Sequence, residues 1–142
     1  MNSRALGEPN RVRPPVWLRW LAVAVVAGGI FYVSLLVAPT SGLAPLGPLG
    51  LVGMDKWLHA LAYVGLAGTL AVALAPDREA GRVALLALAL AVGYGVGIEF
   101  AQAPLAERAF SVADMAANAT GASLGVAGWR VGERLVQRFA PR

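Results

Sequence analysis

The side chains able to do chemistry fall into three short groups. Asp55, Lys56, His59 and Tyr63 form the first, Glu99 and Gln102 the second, and Ser111, Asp114 and Asn118 the third, at steps of three and four, with Arg108 in the connection just before it. At about 100° per residue, each group lies on one side of a helix. Lys56 as a point charge, Arg108 as a two-pronged donor and the positive ends of two helices suit a phosphate or a carboxylate. The acids Asp55, Glu99, Glu107 and Asp114 nevertheless outnumber Lys56 and Arg108, which leaves the set at −2 with His59 neutral. A divalent cation bridging acids to phosphate is therefore one alternative, although no tight metal-ligand spacing is present and no cofactor is otherwise expected.

Two further readings use the same residues. His59, Glu99 and Asp114 are the candidates for acid–base work on a phosphoryl or acyl bond, with Arg108 stabilising developing charge. A nucleophile is missing, since Ser111 reads as a helix cap and Ser41 stands in a loop without partners, so the balance leans away from an enzyme. Capping and interhelical hydrogen bonds also explain Ser111, Asp114 and Asn118 without any ligand, as surface ion pairing does Lys56 and Arg108. Glu99 resists that explanation, because an acid inside an apolar span must be paired or solvated.

The elements that position these groups are apolar. Of 142 residues, 58% are hydrophobic and only 14% charged, with no Cys and a net charge of +4. Ordinary soluble domains are about a quarter charged. The length excludes a large multidomain enzyme, and the absence of Cys excludes thiolate metal sites and Cys nucleophiles. Basic residues are scattered between hydrophobic segments, which argues against nucleic acid as a partner. Continuous apolar runs at about 16–38, 57–75, 83–101 and 112–131 are each long enough to cross roughly 30 Å of hydrocarbon as a helix. Pro39 and Pro76 end the first two, and Pro104 follows the third. The expectation is an all-α polytopic membrane protein, an antiparallel bundle of four transmembrane helices. A tail over 1–15 precedes it, a basic tail over 132–142 follows, and a Pro/Gly-rich connection between Pro39 and Met54 runs along the interface.

Sidedness follows from the basic residues. Arg4, Arg11, Arg13, Arg19, Arg78, Arg82, Arg130, Arg134, Arg138 and Arg142 fall on one side, against Lys56 and Arg108 on the other. The excess predicts that both termini are cytoplasmic and that the chain is a multi-pass protein of the plasma membrane. Trp17, Trp20, Trp57 and Trp129 stand near span ends, as an interfacial belt requires. All three polar groups then meet at the outer face. On the fourth span their stripe continues as Gly121, Gly125, Gly128 and Gly132, bare backbone suited to close approach of another helix.

The strings DKWLHALAYVGL, GIEFAQ and ERAFSVADMAANATGASLG resemble the VanZ-like family of small multi-span membrane proteins. The matching positions are Asp55, Lys56, His59, Tyr63, Glu99, Gln102, Arg108, Ser111, Asp114, Asn118, Gly121 and Gly125, about half the chain, whereas the first span agrees only in being hydrophobic. Ala60 departs from the pattern, in which an aromatic residue often follows the histidine. The resemblance implies a cell-envelope role, in a family first associated with resistance to the glycopeptide teicoplanin, and makes these residues a ligand-binding set. Membrane lipids and a lipid-linked envelope precursor are the expected partners. Fusions of a periplasm-active reporter should be silent at either terminus and active within the 39–54 connection; activity at a terminus would reverse the assigned sidedness.

Overall fold

The computed structural model describes residues 14–37, 45–105 and 110–139, which form four helices and no strand. Helix α1, Val16–Phe31, begins directly after Pro15 and ends in a π-helical turn, Tyr32–Leu36. Helix α2, Met54–Leu74, closes in a 3₁₀ turn, Ala75–Asp77, that contains Pro76. Helices α3, Ala80–Gln102, and α4, Val112–Phe139, complete the chain. Both α2 and α3 start before the apolar runs do. A first turn accepts polar residues, and Asp55 there meets the positive end of its helix.

Cross-helix bonds fix the directions. Arg19, near the start of α1, donates to the Ala73 carbonyl near the end of α2, at 3.5 Å. Tyr94 donates to Ala27 O at 2.7 Å and Gln102 to Ser34 O at 2.8 Å, so α1 and α3 run the same way. Arg130, far along α4, donates to Ala80 O at the start of α3. The result is an up-down-up-down bundle in which α2 and α4 are parallel. Ser34 O belongs to the π-helical turn, where a ladder carbonyl is available to an outside donor.

Three of the helices are long and apolar enough to cross a membrane: α1 with its π turn, α2 with its 3₁₀ turn, and α3. Large apolar side chains such as Leu58, Leu61, Leu85, Phe100 and Leu124 stay exposed around the outside, the distribution a membrane protein needs. Helix α4 is longer still, but its residues are small and polar rather than strongly apolar. Their size serves packing. A Cβ at Gly121 would collide with the backbone of Ala60, and one at Gly125 with that of Val64, so α4 lies against the main chain of α2. Gly128 and Gly132 differ from that expectation, because neither would place a Cβ within 4 Å of any neighbour. The buried seam is likewise of small residues, with Ala67, Ala71, Ala87, Ala91 and Ala122 beside Leu66, Leu70 and Val83. Close packing of this kind holds helices together where lipid removes the hydrophobic incentive.

The fourth helix also runs past the expected end of its span. Residues 132–139, read from sequence as a tail, continue α4 as helix, with Arg138 in the last turn beside the negative end of the dipole. Residues 45–53, directly before α2, fold back on themselves. Gly47 N–H donates to Val52 O, Met54 N–H to Pro45 O, and Leu49 and Gly50 take positive φ in the reversal between them. Gly47 is buried against the indole of Trp57, with no room for a Cβ. Gly121→Ala should lower stability in detergent by about 1–3 kcal/mol through overpacking, whereas Gly128→Ala should raise it by up to ~1 kcal/mol through helix propensity. Thermal unfolding of the two variants side by side would check the contrast, and equal midpoints would contradict it.

Candidate functional site at one end of the bundle

The start of α2, the end of α3 and the start of α4 bring the three sequence groups to one end. From α2, Lys56 Nζ contacts Asp55 Oδ2 and Asp114 Oδ1, joining α2 to α4. One turn further along, His59 Nδ1 lies 3.0 Å from Asn118 Oδ1, and His59 Nε2 lies 4.0 Å from Asp114 Oδ2. The imidazole is thus held between an amide and a carboxylate. Asp114 carries two contacts at once, which makes it the hub of the α2–α4 face.

Ser111 caps α4. Its Oγ accepts the Asp114 N–H at 3.1 Å, the first half of a capping box. The reciprocal half is supplied from another helix. Glu99 Oε2, on α3, accepts the Ser111 N–H at 2.9 Å, so the acid three residues into α4 is spared that task and faces Lys56 and His59 instead. Glu99 is wholly buried, at 0% exposure, and its Oε1 has no hydrogen-bond partner among the described residues. The Tyr63 hydroxyl, on a residue 1% exposed, is equally unpartnered. Leaving a buried polar atom unmet costs about 1–3 kcal/mol, and more when it is charged.

Near the Tyr63 hydroxyl α3 and α4 part. A half-open cavity of about 280 Å³ lies between them, lined by Val92, Gly95, Val96, Met115 and Ala119 with Asn118 as its polar member. A Cβ at Gly95 would sit 3.1 Å from both Tyr63 Oη and Asn118 Nδ2. Bare backbone at Gly95 therefore keeps the cavity wall within a side chain's reach of the buried hydroxyl. Composition gave no sign of this opening, because its residues are ordinary Val, Met and Ala.

Nearly all of the residues singled out from sequence meet here. Asp55, Lys56, His59, Tyr63, Glu99, Ser111, Asp114 and Asn118 share the end of the bundle, while Gln102 turns to α1 and binds Ser34 O. Tyr94, which belongs to none of the three groups, also reaches α1 as donor to Ala27 O. Arg108 and Glu107 lie outside the described residues. Among the described ones, Asp55 and Asp114 share the Lys56 ammonium while Glu99 binds the Ser111 N–H, and no group of three His, Asp or Glu is assembled to hold a metal ion. Ser111 Oγ is engaged as a cap, which leaves the enzymatic reading without a nucleophile among the described residues of the cluster.

No family model, curated protein or solved structure matches the chain.

The inter-helix cap has a measurable consequence. Glu99→Ala strands the Ser111 N–H and should destabilise the bundle by about 1–3 kcal/mol, whereas Glu99→Gln retains an acceptor oxygen and should stay within about 1 kcal/mol. Ser111→Ala should cost ~1 kcal/mol. Chemical-denaturation midpoints in detergent would report all three, and an unaffected Glu99→Ala protein would remove the capping role.

Proposed function

We propose that the chain is a VanZ-like integral membrane protein whose polar end faces the cell exterior and recognises a lipid-linked phosphate or related envelope precursor. The observation that carries this reading is the pair of buried, unmet atoms, Glu99 Oε1 and Tyr63 Oη, at the end of the bundle where α3 and α4 enclose an apolar cavity whose lining residue Gly95 stands beside the Tyr63 hydroxyl. A ligand hydroxyl would donate to Glu99, and Tyr63 would donate to a phosphate or sugar oxygen. The hydrocarbon chain would lie along Val92, Val96, Met115 and Ala119, where nothing polar competes for it. Helix α2 starts without a side-chain cap, so its amide groups add positive potential at the same level.

Charge sets the remaining requirement. Lys56 is shared between Asp55 and Asp114, so its charge is largely spoken for. A phosphate needs a further cation there, and Arg108 is the residue of this chain whose place in sequence suits the part. The excess of Arg on the opposite side supports the outward orientation of the polar end.

A second reading, a non-catalytic assembly partner, is favoured by how far the polar side chains satisfy one another. Lys56 with Asp114, His59 with Asn118, and Glu99 with the Ser111 N–H would lock helices with no ligand at all.

Binding separates the two. Protein reconstituted in nanodiscs should bind a polyprenyl phosphate at least about tenfold more tightly than the polyprenyl alcohol of equal length, a gap of about 1.4 kcal/mol. Arg108→Ala and Glu99→Gln should each reduce phosphate binding, and Ala119→Leu, in the cavity lining, should reduce binding of both lipids by filling the cavity. Equal affinity for phosphate and alcohol, or indifference to all three substitutions, would overturn recognition and leave the assembly reading.

A further inference from the structure

The end of α4 remote from the polar cluster has no partner within the described residues. Arg130 Nη1 reaches Ala80 O at the first residue of α3, the last cross-helix hydrogen bond that α4 makes among the described residues. Residues 131–139 continue as helix beyond it, for about 13 Å at 1.5 Å per residue. This extension is two-sided. Arg130, Arg134 and Arg138 recur at steps of four, with Glu133 and Gln137 flanking them. Val131, Leu135, Val136 and Phe139 occupy the opposite side, and all four are exposed, Phe139 at 76%.

Two glycines mark the join. Gly128 and Gly132 lie on the apolar side, and a Cβ at either would meet nothing within 4 Å. Close packing accounts for Gly121 and Gly125 and does not account for these. Glycine loosens a helix interior, and the pair brackets the point at which α4 leaves α3. A straight extension would hold four large apolar side chains in water. A bend at the join would lower them to the boundary of the bilayer from which the helix has just emerged.

We propose that residues 131–139 form a surface anchor that bends at Gly128 and Gly132 and lies on an anionic phospholipid surface. Val131, Leu135, Val136 and Phe139 enter the boundary region, and Arg134 and Arg138 contact lipid phosphates. Charge complementarity selects this occupant, since three arginines against the single acid Glu133 oppose a second copy of the same segment and favour acidic headgroups. The inference is independent of any ligand at the other end of the bundle.

The chain has no cysteine, so a single Val136→Cys substitution accepts one environment-sensitive fluorophore cleanly. Full-length protein would be reconstituted in vesicles of phosphatidylcholine alone or with phosphatidylglycerol, with a quencher attached to the lipid chains. Quenching should appear with phosphatidylglycerol, weaken with salt, and fall roughly fivefold or more in Arg134→Glu/Arg138→Glu. The Gly128→Ala/Gly132→Ala protein should also lose quenching while its thermal midpoint holds or rises. Equal quenching in both vesicle types, or none in either, would overturn the anchor. A shift that depends on protein density and persists in phosphatidylcholine would do the same by making a second copy the occupant, and full quenching in the alanine pair would overturn the bend.

Discussion

The close approach of α4 to the backbone of α2 sets the positions of the other groups. Gly125 meets Val64 and Gly121 meets Ala60, so the two parallel helices are locked in register at four-residue steps. The same register, followed toward the start of both helices, sets Asn118 against His59 and then Asp114 against Lys56. A polar pair is thus aligned by an apolar contact one turn away. Were the helices to separate by the width of a methyl group, the Lys56–Asp114 contact would lengthen and its Coulomb attraction, which falls inversely with distance, would weaken. Rigid bare backbone here does for the cluster what a packed supporting shell does for other sites.

The second constraint is the placement of carboxylates. Asp114 stands three residues after the cap of α4, where it would ordinarily turn back to the cap's own N–H. Glu99 takes that bond from α3, and this exchange ties the end of α3 to the start of α4. It also leaves an acid wholly buried with one oxygen unmet. In a low-dielectric setting such an atom is the most costly feature of the cluster. The Tyr63 hydroxyl, equally unmet, stands beside Gly95 in the lining of the α3–α4 cavity.

Much of this was legible in the sequence because polar residues are conspicuous in apolar helices. The spacing of Ser111 and Asp114 announced a cap, and the Gly121–Gly125 step announced a close helix contact. The reciprocal bond from Glu99 was not legible, since a carboxylate on another helix leaves no local pattern. The extended glycine stripe misled in its second half, because the sequence carries no mark of where α4 stops touching its neighbours. The helical nature of residues 132–139 was hidden by their charge, which reads as a solvated tail until the four-residue recurrence of arginine is set against the exposed Leu135 and Phe139. The cavity was invisible for a simpler reason: it is defined by the separation of helices and not by residue type.

Helix α1 shows how unevenly the bundle is held. It is the least buried of the apolar helices, and three cross-helix bonds that tie it to its neighbours end on main-chain carbonyls: Arg19 on Ala73, Tyr94 on Ala27 and Gln102 on Ser34. Bonds of that type fix height and direction but depend little on side-chain identity in the helix that accepts them. Two of the three accepting carbonyls belong to α1, so much of its sequence is free to vary so long as it stays apolar. This is why the first span carries no motif of its own, whereas α2, α3 and α4 must keep particular residues at particular steps. The cavity is lined by α3 and α4 alone, so the weakly specified helix stays clear of it and the strongly specified ones form its walls.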